Sequence, residues 1–418
     1  AGTDEEWRRG VVASQTPELQ VPSGSAADGG GRPPAHIVMA AGEASGDLHG
    51  ARLAECLRRL EPGLSLSGMG GPRMQAAGVE VLVDARQTAV VGLTELWEKR
   101  RILRAALATL RAHLEARRPA LLICIDFPDF NLLLARTAHR LGISVCYFIS
   151  PQVWAWRRGR IRTIRRLVRK MLVLFPFEER LYRTAGVDVG FVGHPLLDAL
   201  EATPSREACR ERLGLAADAL VVGLLPGSRE AELRRLLPLL LQAAEKIRAA
   251  SKDLTVLVGL GETGDRRVVE AALATAASPA RVIQGRTPEV IRAADFLLAA
   301  SGTVTLEAAI LGTPMLITYR VGWLSYLLGR LLVRVRFVGL PNLVAEDSVV
   351  PELIQHKATP ERLAATALEI LGSPERLARM RTALQEVRRR LGQPGATERA
   401  AREILALLPT DARTFPVS

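Results

Sequence analysis

Short apolar segments alternate with helical segments along most of this chain, and the alternation limits its fold more than any other feature. In the first half, runs of strand length occur at His36–Ala41, Leu121–Ile125 and 145–149. A second series begins at 221–225 and includes 296–299. Such alternation predicts parallel sheets covered by helices on both faces. We therefore predict an α/β protein with two doubly wound, Rossmann-like units and a site in the cleft between them.

The chain has 418 residues, more than a single hydrophobic core ordinarily supports, so we expect two domains. Residues 1–35 are rich in Gly, Pro, Ser and Ala and lack periodicity, which predicts a disordered extension that is not a secretory signal. The Rossmann-like domains are predicted at 36–195 and 196–359. Helices within 360–418 are expected to pack back toward the first domain.

The composition narrows the classes of partner. Lys and Arg outnumber Asp and Glu by 56 to 44, a net charge of +12, which suits nucleic acid, an anionic membrane or phosphorylated substrates. Aromatic residues are only 4% and no nucleic-acid motif occurs, which argues against nucleic acid. No apolar run reaches the roughly 18 residues that span a bilayer. The cysteines and histidines lack metal-ligand spacing, so we expect neither a metal nor a cofactor.

One strand–turn–helix segment in the second half is suited to binding an anion. Ser301, Gly302 and Thr303 follow a buried-type strand and precede a helix. Free N–H groups and the helix dipole would point at a phosphate there, and Gly302 would let it approach the backbone. Glu307 lies one turn later on the same face, where its carboxylate can accept both hydroxyls of a ribose. The alternative is an ordinary capped helix with a solvated Glu.

A second turn of this kind contains Ser228 and Arg229 at the end of the sequence LLPGSR. Backbone N–H groups and a guanidinium together favour a diphosphate, because Arg binds phosphate bidentately. The alternative is a surface Arg after a helix cap. Two such turns in one half of the chain favour a nucleotide site.

The first strand is followed by a turn that is rich in polar residues, and this turn opens a helix. It places Glu43, Ser45 and Asp47, with Gly46 between them, at the carboxyl end of the strand, the edge at which open α/β sheets bind ligands. His49 is expected on the surface of the helix.

Asp126 follows another apolar strand, in the sequence IDFPDFN. A carboxylate at that edge would be partly desolvated and more basic, which suits a general base. Pro128 is expected to stiffen the turn. Asp129 is the alternative base, although its position suits an N-cap.

Two amphipathic stretches combine apolar and basic residues, a pattern typical of helices that lie on an anionic membrane. Core packing or an oligomer interface would explain either one as well. The first stretch comprises Leu93, Leu96, Trp97, Leu103, Leu107 and Leu110 with Lys99, Arg100, Arg101 and Arg104. The second comprises apolar residues within 323–332 with Arg330, Arg334 and Arg336.

With these motifs in order, the chain closely resembles the lipid-A-disaccharide synthases, inverting glycosyltransferases of the GT-B fold. The resemblance covers nearly all of the chain after residue 35. The matching segments are AGEASGDLHG (41–50), GPRMQAAG (71–78), IDFPDFN (125–131), SPQVWAWR (150–157), FVGHPL (191–196), LLPGSR (224–229), ASGTVTLE (300–307) and LPNLVA (340–345).

The resemblance implies that UDP-2,3-diacylglucosamine and 2,3-diacylglucosamine 1-phosphate condense to a β-1,6-linked disaccharide 1-phosphate and UDP. It implies an acceptor-binding first domain and a UDP-sugar-binding second domain. Asp126 falls on the family's essential acid, Arg229 and Asn342 on essential polar residues, and Glu307 on the position that meets the UDP ribose. The enzyme would act on the cytoplasmic face of the inner membrane as a peripheral protein, with a homodimer as one candidate assembly.

Two other classes remain at this stage. A related enzyme acting on a soluble sugar, such as a UDP-N-acetylglucosamine epimerase, would keep the nucleotide turns without needing apolar and basic surfaces. A nucleic-acid-binding protein would use the positive charge but would leave the paired turns unexplained.

Overall fold

The computed structural model describes residues 35–88, 96–154, 159–251, 253–277, 279–320 and 336–409. Its first half contains the strands β1 (His36–Ala41), β2 (Ser65–Gly70), β3 (Glu80–Asp84), β4 (Leu121–Ile125), β5 (Ser144–Phe148), β6 (Lys170–Val173) and β7 (Val189–Phe191). The helices of this half are α1 (Ala44–Leu60), α2 (Pro72–Ala76), α3 (Leu96–Arg117), α4 (Pro128–Arg140), α5 (Arg160–Leu167) and α6 (Pro176–Thr184).

The second half contains the strands β8 (Leu220–Leu225), β9 (Leu254–Leu260), β10 (Arg281–Gln284), β11 (Phe296–Ala300), β12 (Met315–Tyr319) and β13 (Glu352–Ile354). Its helices are α7 (Leu196–Glu201), α8 (Arg206–Arg212), α9 (Glu230–Ala250), α10 (Arg266–Ala274), α11 (Thr287–Ala293), α12 (Thr303–Leu311), α13 (Leu340–Ala345), α14 (Pro360–Leu371), α15 (Pro374–Arg390) and α16 (Ala396–Leu405).

The strands form two parallel sheets, which confirms the predicted fold class. The first sheet has the order β3-β2-β1-β4-β5-β6-β7, and the second has the order β10-β9-β8-β11-β12-β13. The direction of winding changes between β1 and β4 and again between β8 and β11. Ligands of open α/β sheets bind outside the carboxyl ends of the strands at such points. All four turns selected from the sequence follow one of these four strands.

The central strands are apolar along their whole length because helices cover both faces of each sheet. Every residue of β4 and of β11 is buried. One face of the first sheet packs on α3 through Leu110 and Leu114, and the other packs on α1 through Leu53 and Leu57. Ile404 of α16 belongs to the same apolar cluster as Leu53 and Leu57. The C-terminal helix therefore completes the core of the first half.

The final helices do not all return to the first half. Only α16 packs against α1, whereas α14 packs against α9 and α15 against α12 and α13. The chain crosses between the halves at Gly193 and again near Gly395, and the two crossings are bonded together. His194 N donates to Leu391 O at 3.0 Å, and Arg399 Nε donates to Val192 O at 2.9 Å.

Several local expectations need correction. The helix α1 already begins at Ala44, so Ser45 and Asp47 belong to its first turn rather than to a preceding loop. The helix α4 begins at Pro128, which places Asp129 inside its first turn and not at the N-cap. The strand β2 was not predicted, because its sequence SLSGMG has the Ser and Gly content of a loop.

The first amphipathic stretch is core along part of its length. Leu107 and Leu110 are buried, and Leu103 packs against the same cluster. Leu93, the side chains of Leu96 and Trp97, and the second stretch (323–332) lie outside the described residues, as does nearly all of the predicted extension at 1–35. Within the described part of the chain, no helix is both long and apolar enough to cross a membrane.

Candidate active site

A cavity of about 730 Å³ opens at the carboxyl ends of β8 and β11. Leu48, from α1 of the first half, also lines it, so the cavity faces the cleft between the two sheets. Its walls contain six of the seven residues predicted to bind the donor nucleotide: Ser228, Arg229, Ser301, Gly302, Thr303 and Glu307.

The N-terminus of α12 borders this cavity. The helix begins at Thr303, and no side chain caps it at Gly302. The Ser301 hydroxyl donates instead to Val338 O at 3.2 Å. Because the first N–H groups of a helix have no partners within it, this terminus can bind a phosphate.

The fold around Gly302 leaves room for a side chain. Its φ of 169° is extended backbone that any residue adopts, and a Cβ built on it would meet no atom of the described residues within 4 Å. We therefore expect Gly302→Val to keep the melting temperature of the wild type while weakening UDP binding at least tenfold by titration calorimetry. Gly63→Val, at an exposed turn with similar space, serves as the control. Unchanged UDP affinity in Gly302→Val would place the phosphates elsewhere.

Arg229 projects from the second turn into the same cavity. It is the N-cap of α9, and 85% of its side chain is exposed. Its guanidinium lies 3.7 Å from the Glu232 carboxylate, a long ion pair that leaves it able to meet a phosphate. Gly227 has a φ of 102°, and a Cβ there would approach Glu232 Oε2 to 2.4 Å. The glycine thus allows the tight turn that presents Arg229.

Glu307 lines the cavity on the inner side of α12 and is half-buried. Burial raises the pKa of its carboxyl above the usual value. A partly desolvated carboxylate gains from hydroxyl donors, because they replace the water that burial removed. This environment suits a ribose.

Asn342 has a different position from the one predicted. It is fully buried, and its side chain accepts from Val349 N and Val350 N at 2.8 and 2.9 Å. Its amide nitrogen donates to Val350 O and to the Glu352 carboxylate. Asn342 therefore fixes the segment between α13 and β13 and does not line the cavity.

Asp126 lies on the first sheet, directly after β4, in an unusual backbone conformation. Asp126 and Phe127 have φ values of 45° and 46°. Left-handed backbone at such residues costs on the order of 1–3 kcal/mol each and persists only where the surroundings enforce it. Two side chains hold the Asp126 carbonyl: Asn131 Nδ2 donates to it at 2.8 Å and Tyr147 Oη at 2.6 Å.

The Asp126 carboxyl faces a second cavity, of about 180 Å³, which Pro128, Pro151, Val153 and Arg160 also line. Burial raises the pKa of Asp126, and the nearby negative charge of Glu43 raises it further. A carboxylate of raised pKa is the more effective proton acceptor. The environment therefore agrees with the base role inferred from the sequence.

The beginning of α1 lies near both cavities. Glu43, its exposed N-cap, is close enough to affect Asp126, and Leu48 lines the larger cavity five residues later, roughly 7.5 Å along a helix. Ser45 is exposed and Gly46 is buried. Asp47 is buried, and its carboxylate accepts from the N–H groups of Gly71, Arg73 and Met74. Asp47 therefore anchors α2 and is not open to a ligand.

His49, expected on the helix surface, is half-buried instead. Its Nδ1 atom is inaccessible to solvent and has no hydrogen-bond partner among the described residues. Burial lowers its pKa to about 4. The side chain therefore stays neutral at physiological pH.

Three further residues support the site and were not selected from the sequence. Asn131 and Tyr147 hold Asp126, as described above. The buried Glu178 accepts from Trp154 Nε1 at 3.2 Å, and burial raises its pKa to about 8. This contact fixes the loop at 150–154 that forms one wall of the smaller cavity. Of these three residues, only Asn131 lies within a motif, IDFPDFN, from which it could have been selected.

No group of three or more His, Cys, Asp or Glu side chains with the arrangement of a metal site occurs among the described residues. Among the described residues that line the two cavities, the cations are Arg229 in the larger cavity and Arg160 in the smaller one.

Comparison with a family model and with known sequences points to the same family. A family model described as lipid-A-disaccharide synthetase matches residues 37–407. The chain is 48% identical over 373 residues to the lipid-A-disaccharide synthase of Syntrophus aciditrophicus, covering 89% of this chain and 97% of the relative. It is 45% identical over 379 residues to that of Myxococcus xanthus, covering 90% and 98%.

Comparison with solved structures agrees on the fold. A UDP-GlcNAc 2-epimerase from Neisseria meningitidis bound to UDP-GlcNAc aligns with a TM-score of 0.61 at 11% identity, covering 89% of this chain and all of that one. The glycosyltransferase of kitacinnamycin aligns with a TM-score of 0.59 at 19% identity, covering 90% and 100%. At these identities the likeness shows the two-domain fold alone.

Proposed function

The chain belongs to the lipid-A-disaccharide synthases, glycosyltransferases of lipid A biosynthesis, and from this premise we propose how its residues divide the reaction. The substrates are UDP-2,3-diacylglucosamine and 2,3-diacylglucosamine 1-phosphate. The second domain (196–359) binds the UDP-sugar and the first (36–195) binds the acceptor. The observation that carries the proposal is the clustering of six nucleotide-type residues around one cavity, with Asp126 on the other sheet.

The donor is bound through its nucleotide. The N-terminus of α12 and Arg229 bind the diphosphate, with Ser228, Ser301 and Thr303 as further hydrogen-bond donors, the Ser301 hydroxyl turning from Val338 O to a phosphate oxygen when the donor binds. Glu307 accepts the ribose hydroxyls. Asn342 contributes indirectly by fixing the segment from α13 to β13.

The acceptor is activated from the other side of the cleft. Its 6-hydroxyl attacks C1 of the donor sugar while Asp126 takes the hydroxyl proton. The bond between C1 and the UDP oxygen breaks, the configuration at C1 inverts, and the electron pair leaves on the diphosphate. Arg229 and the α12 terminus stabilise this growing charge, a term that is largest in the transition state. Glu43 and Ser45 border the acceptor side.

An epimerase would share this fold, but the sequence comparison does not support that alternative. The neighbours that carry that name are under 20% identical to this chain, whereas the lipid-A-disaccharide synthases match at 43–48% over nearly its full length. A fold of this kind hosts several reactions, so the sequence family has more weight than the shape.

The test is to identify the product. The purified chain is incubated with both diacyl sugars in neutral detergent with EDTA, and the products are analysed by mass spectrometry. We expect a disaccharide 1-phosphate and UDP in equal amounts. An epimerised UDP-sugar, or simple hydrolysis of the donor with the acceptor unchanged, would contradict the proposal.

The pH dependence of the rate is expected to respond to Glu43. Because Asp126 must be ionised to accept a proton, activity is present above its raised pKa and falls as the pH falls through it. Glu43→Gln removes a negative charge that raises this pKa, so the acid limb of kcat/KM against pH should move to lower pH. Glu55→Gln, an exposed position on the same helix, should leave the limb unmoved. A shift of the limb to higher pH, or none, would remove Glu43 from the surroundings of the base.

The substrates carry acyl chains, so we propose peripheral binding at the cytoplasmic face of the inner membrane. We assign the membrane contact to a basic surface on the adjacent helices α3, α4 and α5. Leu133 of α4 is an exposed large apolar residue, and exposed arginines of α3 and α5 include Arg100, Arg101, Arg104, Arg162, Arg165 and Arg166. Each of these arginines contributes about 1 kcal/mol to the free energy of binding near an anionic bilayer, and together they are enough for reversible binding.

A homodimer remains a prediction, which analytical ultracentrifugation tests.

This surface predicts how the protein behaves with vesicles. The wild type should sediment with vesicles containing anionic phospholipid at low salt and be released at high salt with mild detergent. Replacing Arg100, Arg101 and Arg104 with Ser should weaken sedimentation about tenfold or more while UDP affinity is retained. Replacing Arg266, Arg376 and Arg379 of the second half with Ser is the control for charge alone. Equal loss in both triple variants would place the membrane surface elsewhere.

A further inference from the structure

The arginines of α5 differ in their exposure. Arg162, Arg165 and Arg166 are exposed to solvent, whereas the side chain of Arg160 is only 16% exposed. Arg160 faces the cavity of about 180 Å³ that also contains Asp126. Burying a guanidinium is unfavourable unless charged partners surround it. The Arg160 guanidinium therefore faces this smaller cavity even though its burial costs solvation free energy.

Asp129, in the first turn of α4, forms an ion pair with Arg160. The Asp129 side chain is 72% exposed, so water solvates it and it can turn away without a large penalty. A guanidinium has five N–H donors in a planar fork, more than one carboxylate uses. The pair therefore orients Arg160, and a phosphate that enters the cavity competes with the Asp129 carboxylate for the guanidinium.

The other described residues that line the cavity carry no charge apart from Asp126. Pro128, Pro151 and Val153 are apolar, and Gln152 is neutral. Of the described residues that line it, Arg160 alone is cationic and Asp126 alone is acidic. The acceptor sugar has two groups that match these two side chains, a hydroxyl that must lose a proton and a phosphate that is a dianion. The hydroxyl matches Asp126, which accepts a proton, and the phosphate matches Arg160, which carries a positive charge.

Resting on the proposed assignment of this cavity to the acceptor, we propose that Arg160 binds the 1-phosphate of the acceptor sugar and thereby selects phosphorylated over unphosphorylated acceptors. Arg suits this task because its fork matches two phosphate oxygens at once. Asp129 holds the guanidinium in place before the acceptor arrives and is displaced from it by the phosphate.

The experiment compares 2,3-diacylglucosamine with and without its 1-phosphate as acceptors, in neutral detergent without phospholipid so that no lipid headgroup competes. The wild type should prefer the phosphorylated acceptor. Arg160→Ala should lower kcat/KM for that acceptor about 10- to 100-fold, mainly through KM, and leave the unphosphorylated acceptor within about threefold. Arg160→Lys should lie between, because the charge remains without the fork. Arg169→Ala, at an exposed position two residues after this helix, should change neither.

Asp129→Asn separates substrate binding from a purely structural ion pair. If Arg160 binds phosphate, removal of the competing carboxylate leaves KM for the phosphorylated acceptor unchanged or lower. If the pair only ties α5 to α4, Asp129→Asn and Arg160→Ala will impair both acceptors alike, which overturns the proposal. A wild type without preference between the acceptors also overturns it. If the wild type forms no disaccharide at all, the proposed function is wrong, and this proposal is wrong as well because it depends on that function.

Discussion

Replacing Asp126 with Asn is expected to reduce turnover by about 10²- to 10⁴-fold while UDP still binds. The amide keeps the size of the side chain but cannot accept the proton of the acceptor hydroxyl. Asp126 does not line the nucleotide cavity, so donor affinity by titration calorimetry should stay near the wild-type value. The melting temperature should not fall, because the substitution removes a buried charge near Glu43.

Asp129→Asn is the matched control, since it makes the same chemical change three residues away at an exposed position. Its kcat should stay within a few-fold of wild type. If Asp126→Asn is nearly as active as wild type and Asp129→Asn is not, the base is Asp129. Full activity in both variants would remove the turn after β4 from the chemistry.

The sequence was sufficient to locate Asp126 but not to explain how it is held. A buried parallel strand reads as a continuous apolar run, so β4 and the carboxylate that follows it could be predicted. The left-handed backbone at Asp126 and Phe127 could not, because Asp adopts it mainly as a single residue and a bulky Phe rarely adopts it at all. It depends on Asn131 and Tyr147, and Tyr147 reaches Asp126 from the neighbouring strand β5. Such support is decided by the register between strands.

The second large effect is expected at Arg229. Arg229→Ala should weaken UDP binding and also lower kcat about 10²- to 10³-fold, because in the proposed mechanism this guanidinium meets the negative charge that grows on the leaving diphosphate. The measurement is the single-turnover rate at saturating donor, which separates the chemical step from donor affinity.

Arg234→Ala is the control for this variant. Arg234 lies on the same helix, is 65% exposed and pairs with Glu230 at 2.8 Å, outside the cavity. It should retain wild-type rates and affinity. A change in KM alone for Arg229→Ala, with kcat preserved, would make the arginine a binding residue that does not act on the leaving group.

The strand β2 shows where composition misleads. Its Gly68 has a φ of 142°, and a Cβ there would meet the carbonyl oxygen of Met39 at 1.9 Å. The strand also shifts register against β3 between Gly68 and Met69. The glycine that makes SLSGMG look like a loop is thus required by the irregular strand itself. A single sequence contains no signal for that close approach.

Asn342 and Asp47 show the same limit at the site. Both are polar residues in motifs that pointed to ligand contact, and both are buried with their side-chain oxygens bonded to backbone N–H groups. A polar side chain near a strand end serves a ligand or the backbone depending on its direction, which residue type alone does not reveal. The glycine-containing turns were more informative, because their geometry follows from the residues themselves.

The most direct test of the account is the configuration of the new glycosidic bond. A single displacement, with Asp126 on one side of the donor C1 and the diphosphate leaving on the other, must invert that centre. The disaccharide made by the purified wild-type chain from an α-linked UDP donor is isolated, and the coupling constant of its anomeric proton is measured by NMR. The account predicts a β linkage to the 6-oxygen of the acceptor. An α linkage would contradict it, because retention requires a different arrangement of catalytic groups from the one across this cleft.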